Sequence, residues 1–192
     1  MPILHLAGKA SIRRRPVNSA LGGMNRPTIR LAQKGEFPAL QSIERAAASR
    51  FAEADLPAEL RDQTLTVAEL QDSLSQGLLW VVEVNTELAG FLAACEEASS
   101  LHILEMSVLP SQGRKGHGSS LLEVATREAK NRGLASVTLT TFSHIAWNGP
   151  AYAKAGFREV AESRLTPELA RRLAEESKQG LGNRVAMQRN AA

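Results

Sequence analysis

The chain of 192 residues is 43% hydrophobic and 22% charged, material for one compact domain rather than two. No apolar run approaches the ~18 residues that span a bilayer, and Cys95 with four scattered histidines gives neither an internal disulfide nor a zinc signature, so a reduced, cytosolic, metal-free protein is expected. The net charge of +3 is unevenly placed: residues 1–35 hold seven Lys/Arg and no acid, which leaves 16 basic against 20 acidic residues, or −4, in the remainder.

Residues 1–26 read as a disordered basic extension and 27–192 as a single domain. The segment 1–23 lacks the apolar stretch of a secretory signal, its Arg-rich and acid-poor composition is distantly similar to a transit peptide, and Met24 is a candidate natural start. Three consecutive arginines without a neighbouring aromatic are a poor base-stacking surface, so binding of a nucleic-acid backbone is a minor alternative.

Within the domain, Thr28 to Ala32 is a strand candidate, and Leu40, Ile43, Ala47 and Phe51 fall at helical spacing in Glu36 to Phe51. Residues 52–64 are polar and turn-rich, and Leu65 to Leu74 predicts a second helix closed by Gly77. Leu78 to Val84, a turn at Asn85 to Glu87, and Leu88 to Cys95 form an expected antiparallel hairpin, followed by a strand from Leu101 to Leu109. A glycine-rich stretch, Ser111 to Ser119, leads into a helix ending near Arg132, with Leu121, Leu122, Ala125 and Ala129 facing inward and Gly133 as its stop. Ser136 to Phe142 is again a strand, and strand, loop, helix and strand within about 40 residues make a βαβ unit with parallel strands. A short helix at Trp147 to Lys154, a strand from Phe157, a helix from Pro167 to Lys178 and a strand from Arg184 to Arg189 finish the chain. The expected class is α/β, a mixed and mostly antiparallel twisted sheet of about six to seven strands around that parallel unit.

A glycine-rich turn between strand and helix offers backbone N–H groups at the positive end of a helix dipole, a natural seat for phosphate. Gly113, Gly118 and Ser120 fit the spacing of a nucleotide-triphosphate loop, but Ser119 stands where its lysine is needed. Gly116 and Gly118 supply two glycines of a dinucleotide fingerprint, but Leu121 replaces the third. A purely structural tight turn is the alternative, and the cations Arg114 and Lys115 favour a functional one.

The residues Glu105-Met-Ser-Val-Leu-Pro110 followed by Arg114-Lys-Gly-His-Gly-Ser-Ser-Leu-Leu122 resemble the acetyl-CoA motif of the GNAT N-acetyltransferases, and Tyr152-Ala-Lys-Ala-Gly-Phe157 resembles that family's Tyr-x-x-x-Gly-Phe element. Gly113 stands where the family prefers Arg or Gln, with Gln112 adjacent, and Ile145 where it often has Asn, with Asn148 nearby. The resemblance implies acetyl-CoA as acyl donor, its pyrophosphate on Gly113, Arg114, Lys115, Gly116, His117, Gly118 and Ser119, and its pantetheine arm along Met106 to Val108 with Asn148 as a further contact. It also implies a neutral amine attacking the thioester in a ternary complex and Tyr152 giving a proton to the departing sulfur; a half-buried aromatic that fills space is the other role open to Tyr152.

For the base, Glu105 interrupts an apolar strand, where a carboxylate without use would be costly. His102 comes second, and pairing of Glu105 with a basic neighbour or deprotonation through water are the competing accounts. His117 and His144 are expected to face solvent, and Cys95 to be a core residue. The acceptor is expected to meet segments 45–75 and 160–183, whose Glu53, Asp55, Glu59, Asp62, Glu168, Glu175 and Glu176 suit either a cationic amine or a solvated helix face. A catalytically silent acyl-CoA-binding or sensing domain is the rival function. Neither a membrane nor a metal partner is expected, and a homodimer is compatible with the sequence.

Overall fold

Pro38 suits the first turn of a helix, and the apolar spacing behind it produces α1, Phe37–Ala48, with Phe37, Leu40 and Ile43 buried. The structure, a computed structural model, describes residues 27–191, so the expected basic extension lies outside the described residues. The strands are β1 (Thr28–Leu31), β2 (Leu79–Val84), β3 (Glu87–Glu97), β4 (Ser100–Val108), β5 (Ser136–Phe142), β6 (Arg158–Glu159) and β7 (Arg184–Asn190). They form one seven-stranded sheet in the order β1-β2-β3-β4-β5-β7-β6. Among the described residues only β4 and β5 pair in parallel, as the βαβ reading requires.

The remaining helices are α2 (Ala58–Arg61), α3 (Val67–Ser75), α4 (His117–Asn131), α5 (Gly149–Lys154) and α6 (Pro167–Lys178). Several boundaries differ from the sequence reading, among them the end of α1 at Ala48 rather than Phe51. The turn-rich stretch 52–64 contains α2, a single turn too short to show periodicity. The helix expected from Trp147 starts at Gly149, because Asn148 lies outside helical geometry at φ −113° and ψ −111°. The strand expected from Phe157 shrinks to β6, since Phe157 turns into the core and only two residues pair with β7. No helix among the described residues is long and apolar enough to cross a membrane.

The sheet is covered on both faces, and the alternation of strand side chains divides the core accordingly. On one face, Leu121, Leu122, Ala125 and Ala129 of α4 pack against Leu92, Leu101, Ile103 and Leu139. On the other, Phe37, Leu40, Ile43 and Leu70 of α1 and α3 pack against Leu79, Val81, Phe91 and Ala93. Thr66 caps α3 by accepting from the Glu69 N–H at 3.2 Å while the Glu69 carboxylate accepts from the Thr66 N–H at 2.8 Å.

Two irregularities in β4 shape the rest of the molecule. Opposite β3, Ala93 pairs with Glu105 but Ala94 pairs with Ile103, so Leu104 is the extra residue of a β-bulge. In an unbroken strand Ile103 and Glu105 would share a face. The bulge leaves Ile103 on the α4 face and turns Glu105 to the α1 face. Opposite β5, pairing is confined to Ser100–Ser136, Leu101–Val137 and His102–Thr138.

Close approach of β3 to β4 depends on Gly90, where a Cβ would lie 2.7 Å from the Ser107 carbonyl oxygen. Gly90→Ala is expected to lower stability by about 1–3 kcal/mol, read as a lower denaturant midpoint. An unchanged midpoint would show that this strand pair accommodates a side chain.

Candidate active site

Past His102 and Thr138 the two central strands part, and a cleft of about 620 Å³ opens between them. Its lining includes β4 from His102 to Val108, the loop and first turn of α4, β5 from Leu139 to Phe142, and residues of α1, α5 and α6. From Ile103 onward the β5-facing edge of β4 has no strand partner among the described residues. Such an edge presents backbone donors and acceptors to an extended ligand.

The loop beside this edge is built by backbone conformation. Gly116 precedes α4 with φ +87°, a left-handed geometry that strains any residue with a Cβ. Among the described residues, the N–H groups of residues 114–119 have no acceptor within the protein. They gather at the positive end of a 15-residue helix, an arrangement suited to a phosphate group. Arg114 is exposed, and Lys115 donates to the Gln112 side-chain oxygen at 2.8 Å. Gly118 lies against β4, where its absent Cβ would sit 3.6 Å from the Met106 methyl group.

His117 corrects the sequence reading: it is 5% exposed rather than solvent-facing, and its Nε2 is buried without a partner. As the first residue of α4, it follows the turn at Gly116 inward. Burial, with Lys115 beside it, lowers its pKa and holds the ring neutral.

Tyr152 reaches the cleft from α5. Gly149 seats that helix, since a Cβ there would stand 2.9 Å from the carbonyl oxygens of Phe142 and Ser143. The Tyr152 ring meets Phe157 edge-on at 5.8 Å. Burial and then the negative charge of Glu105 raise the phenol pKa, so the hydroxyl keeps its proton at neutral pH. Asn148 donates to the Thr141 hydroxyl at 3.1 Å and has its side-chain oxygen buried without a partner.

Glu105 accepts a hydrogen bond from the Ser107 hydroxyl at 2.6 Å. Burial raises its pKa against that hydrogen bond and the Arg184 charge. Glu44 of α1 lines the same cleft and accepts from the Leu65 N–H at 3.1 Å. Its carboxyl is pushed up to about 8, first by burial and then by the charge of Glu105. Sequence reasoning missed Glu44 because a lone glutamate on an amphipathic helix resembles any surface acid. The second candidate base, His102, is buried, with Nδ1 3.0 Å from the Thr138 hydroxyl. Burial and the Arg172 charge lower its pKa to about 3, which leaves it too weak to hold a proton taken from an amine.

Among the described residues, three of the seven acceptor-side acids, Asp55, Glu175 and Glu176, are engaged by partners. Glu176 receives a two-pronged contact from Arg184 at 2.7 and 2.9 Å and a hydroxyl from Thr140 at 2.6 Å. Glu175 pairs with Arg171, and Asp55 lies 2.8 Å from His144, which is exposed as expected. Around that last contact, Phe51 packs on Phe142 and Trp147 at 5.5 and 6.0 Å, and the Arg50 guanidinium lies 4.5 Å above Trp147. The segment after α1 thereby arches to the segment after β5. Cys95 is half-buried beside Arg172, and its thiol is pushed up to about 11, chiefly by burial.

Residues 75–159 match the model of a family described as acetyltransferase (GNAT) domain. N-acetylglutamate synthase from Neisseria gonorrhoeae, solved with coenzyme A and N-acetyl-glutamate, is 20% identical at a TM-score of 0.66, over 87% of this chain and 35% of that one, so this chain spans about a third of its length. The PaiA N-acetyltransferase from Thermoplasma acidophilum, solved with coenzyme A, is 16% identical at 0.66 over 86% of this chain and 99% of that one. The ribosomal-protein-S18-alanine N-acetyltransferase from Escherichia coli is 21% identical at 0.61 over 87% and 95%.

The raised carboxyls set a pH signature. A folded state that binds more protons than the unfolded chain loses stability as pH rises, here from about 5 to about 8 for Glu44. Glu44→Gln keeps an oxygen for the Leu65 N–H but removes the titrating group. The melting temperature of this variant is expected to gain on the native protein steadily across that range. Parallel curves would show that Glu44 titrates as an ordinary exposed carboxylate.

Proposed function

We propose that this member of the GNAT acetyltransferase family moves an acetyl group from acetyl-CoA to an amine, directly, in a complex that holds both. The observation that carries the proposal is the opening between β4 and β5, with free N–H groups at one end and Tyr152 and Glu105 along it. Coenzyme A in the solved N-acetylglutamate synthase and PaiA structures supports the choice of donor.

The residues present fit that donor. The N–H groups of 114–119 and the cations Arg114 and Lys115 suit its pyrophosphate, and the turn at Gly116 brings backbone rather than side chain to the ligand. Gly113 offers no side chain for this, and the neighbouring Gln112 is held by Lys115. The free edge of β4, Met106 to Val108, suits the amides of the pantetheine arm, and its N–H groups can polarise a carbonyl. The buried unpartnered oxygen of Asn148 and Nε2 of His117 are two further polar atoms for which a bound ligand would supply partners. Acetyl-CoA supplies a thioester carbonyl and a thiolate leaving group. Tyr152, kept protonated, donates to that sulfur, and Glu105 receives the proton that makes the attacking amine neutral.

Tests of donor binding and of turnover separate the parts. Gly118→Val places methyl groups against Met106 and is expected to weaken acetyl-CoA binding strongly in calorimetry, with Lys115→Ala weakening it modestly and reducing its salt dependence. Native affinity in the Gly118 variant would remove the loop from the site. Coenzyme A release followed across a panel of amines and peptides should identify an acceptor, and with it Tyr152→Phe is expected to lower kcat by about 10²–10⁴-fold at unchanged donor affinity. Full turnover in that variant would assign Tyr152 to packing alone. Donor binding with no turnover on any amine would favour a silent acyl-CoA-binding domain.

A further inference from the structure

Among the described residues the large apolar side chains left exposed are Leu31, Val67 and Trp147, and of these only Trp147, 43% exposed, lines the cleft. Leu31 ends the edge strand β1 and Val67 opens α3, ordinary places for a lone surface residue. Trp147 instead belongs to a ladder of side chains. The Arg50 guanidinium lies 4.5 Å from the centre of its ring, Phe51 meets it edge-on at 6.0 Å, Phe142 packs on Phe51 at 5.5 Å, and the Arg184 guanidinium lies 4.6 Å from the centre of the Phe142 ring. All five residues line the cleft. The inner end of the ladder adjoins the reacting groups, since Phe142 is 3% exposed and the charge of Arg184 acts on both Glu105 and Tyr152. At the outer end Trp147 is open to solvent, and Arg50 makes no ion pair among the described residues.

We propose, on the acyl-transfer reading above, that this ladder is the subsite for the part of the acceptor that does not react, and that this part is an aromatic ring. The rings meet at 47° and 62°, a tilted packing that gains from edge-to-face electrostatics as well as from burial. A further ring laid against Trp147 and Phe51 continues that packing. A saturated ring of similar size would gain burial alone, and a short alkyl group would leave Trp147 in water. The unpaired charge of Arg50 at the mouth disfavours a second cation on that end of the ligand.

The wall is built before a ligand arrives. His144 lies 2.8 Å from Asp55 and ties the segment after α1 to the segment after β5, while Glu176 holds Arg184 against Phe142 with contacts of 2.7 and 2.9 Å. Ala47, Leu56 and Leu60 add apolar lining to the same cleft. Aromatic side chains have few rotamers to lose, so little ordering opposes binding at such a surface. Contacts to the unreacting end are the same in the ground and transition states, and they therefore act on KM rather than on kcat.

The test compares phenylalkylamines, from benzylamine to phenylbutylamine, with cyclohexyl counterparts of equal chain length, so that apolar size stays nearly constant while the π-system is removed. Coenzyme A release by the native protein is expected to favour the best phenyl compound over its cyclohexyl partner by about three- to tenfold in kcat/KM, with the difference in KM. Trp147→Leu should erase that preference, Trp147→Phe should keep part of it, and Phe51→Leu should reduce it. The two Phe51 and Trp147→Phe variants decide the matter if Trp147→Leu melts too early to assay. Tryptophan emission gives a readout that needs no turnover, because Trp80 is 6% exposed in the core on the α4 face while Trp147 faces the cleft. Phenylbutylamine added to protein saturated with coenzyme A should shift the emission to shorter wavelength, saturably and at lower concentration than its cyclohexyl partner, and Trp147→Phe should abolish the shift. Equal kcat/KM for phenyl and cyclohexyl partners at every chain length, a preference that survives in Trp147→Leu, or an unshifted emission would overturn the subsite and leave the ladder as packing between two segments. Absence of turnover with every amine would instead overturn the acyl-transfer reading, and the emission titration would still decide whether the wall binds a ring.

Discussion

The parting of β4 from β5 is the constraint on which the rest of the molecule depends. Three residue pairs join these strands at one end, and after His102 and Thr138 the backbone edge of β4 loses its neighbour. Unpaired backbone groups inside a covered sheet are unfavourable unless something else satisfies them. The fold answers by placing a glycine loop, a helix N-terminus and a short helix around the gap rather than a further strand. The core on the α4 face includes Leu101 and Val137 and so holds the two strands at their fixed end, which makes the opening a property of the scaffold.

A second constraint sits on the same strand. A β-strand assigns its side chains alternately to two faces, and a single extra residue reverses that assignment beyond it. Leu104 is that residue. Without it Glu105 would face the apolar packing of α4, where a carboxylate has no hydrogen-bond partner. With it the acid meets Ser107 and faces the cleft that Glu44 also lines. The same reversal leaves Met106 on the α4 face, against Gly118 and the loop. One irregularity thus separates the apolar and polar contributions of four consecutive residues.

Much of this was legible in the sequence, and the rest was not for identifiable reasons. Apolar spacing located α1, α4 and the strands of the hairpin, and glycines beside Arg114 and Lys115 marked the loop. Tyr152 and Glu105 stood out, one as the chain's sole tyrosine and the other as an acid within an apolar strand. The bulge leaves no local signature, because Ile103, Leu104 and Glu105 read as an ordinary strand until the register opposite Ala93 and Ala94 is known. Glu44 and Arg184 were hidden for the same reason: their importance lies in what they face across the fold. His117 was misplaced because a histidine between two glycines looks exposed, whereas the turn at Gly116 points it inward. Asp55, Glu175 and Glu176 resembled free acids, and their partners His144, Arg171 and Arg184 became evident only in three dimensions.

The central claim is that the open edge of β4 and the loop before α4 are completed by the acyl donor. Amide hydrogen exchange on the described residues tests it most directly, because the claim concerns particular backbone groups. With saturating acetyl-CoA, amides within 103–108 and 114–119 should exchange more slowly, while the β2–β3 hairpin, already paired, should be unchanged. Protection confined to other segments, or slowing spread evenly over the whole domain, would contradict it.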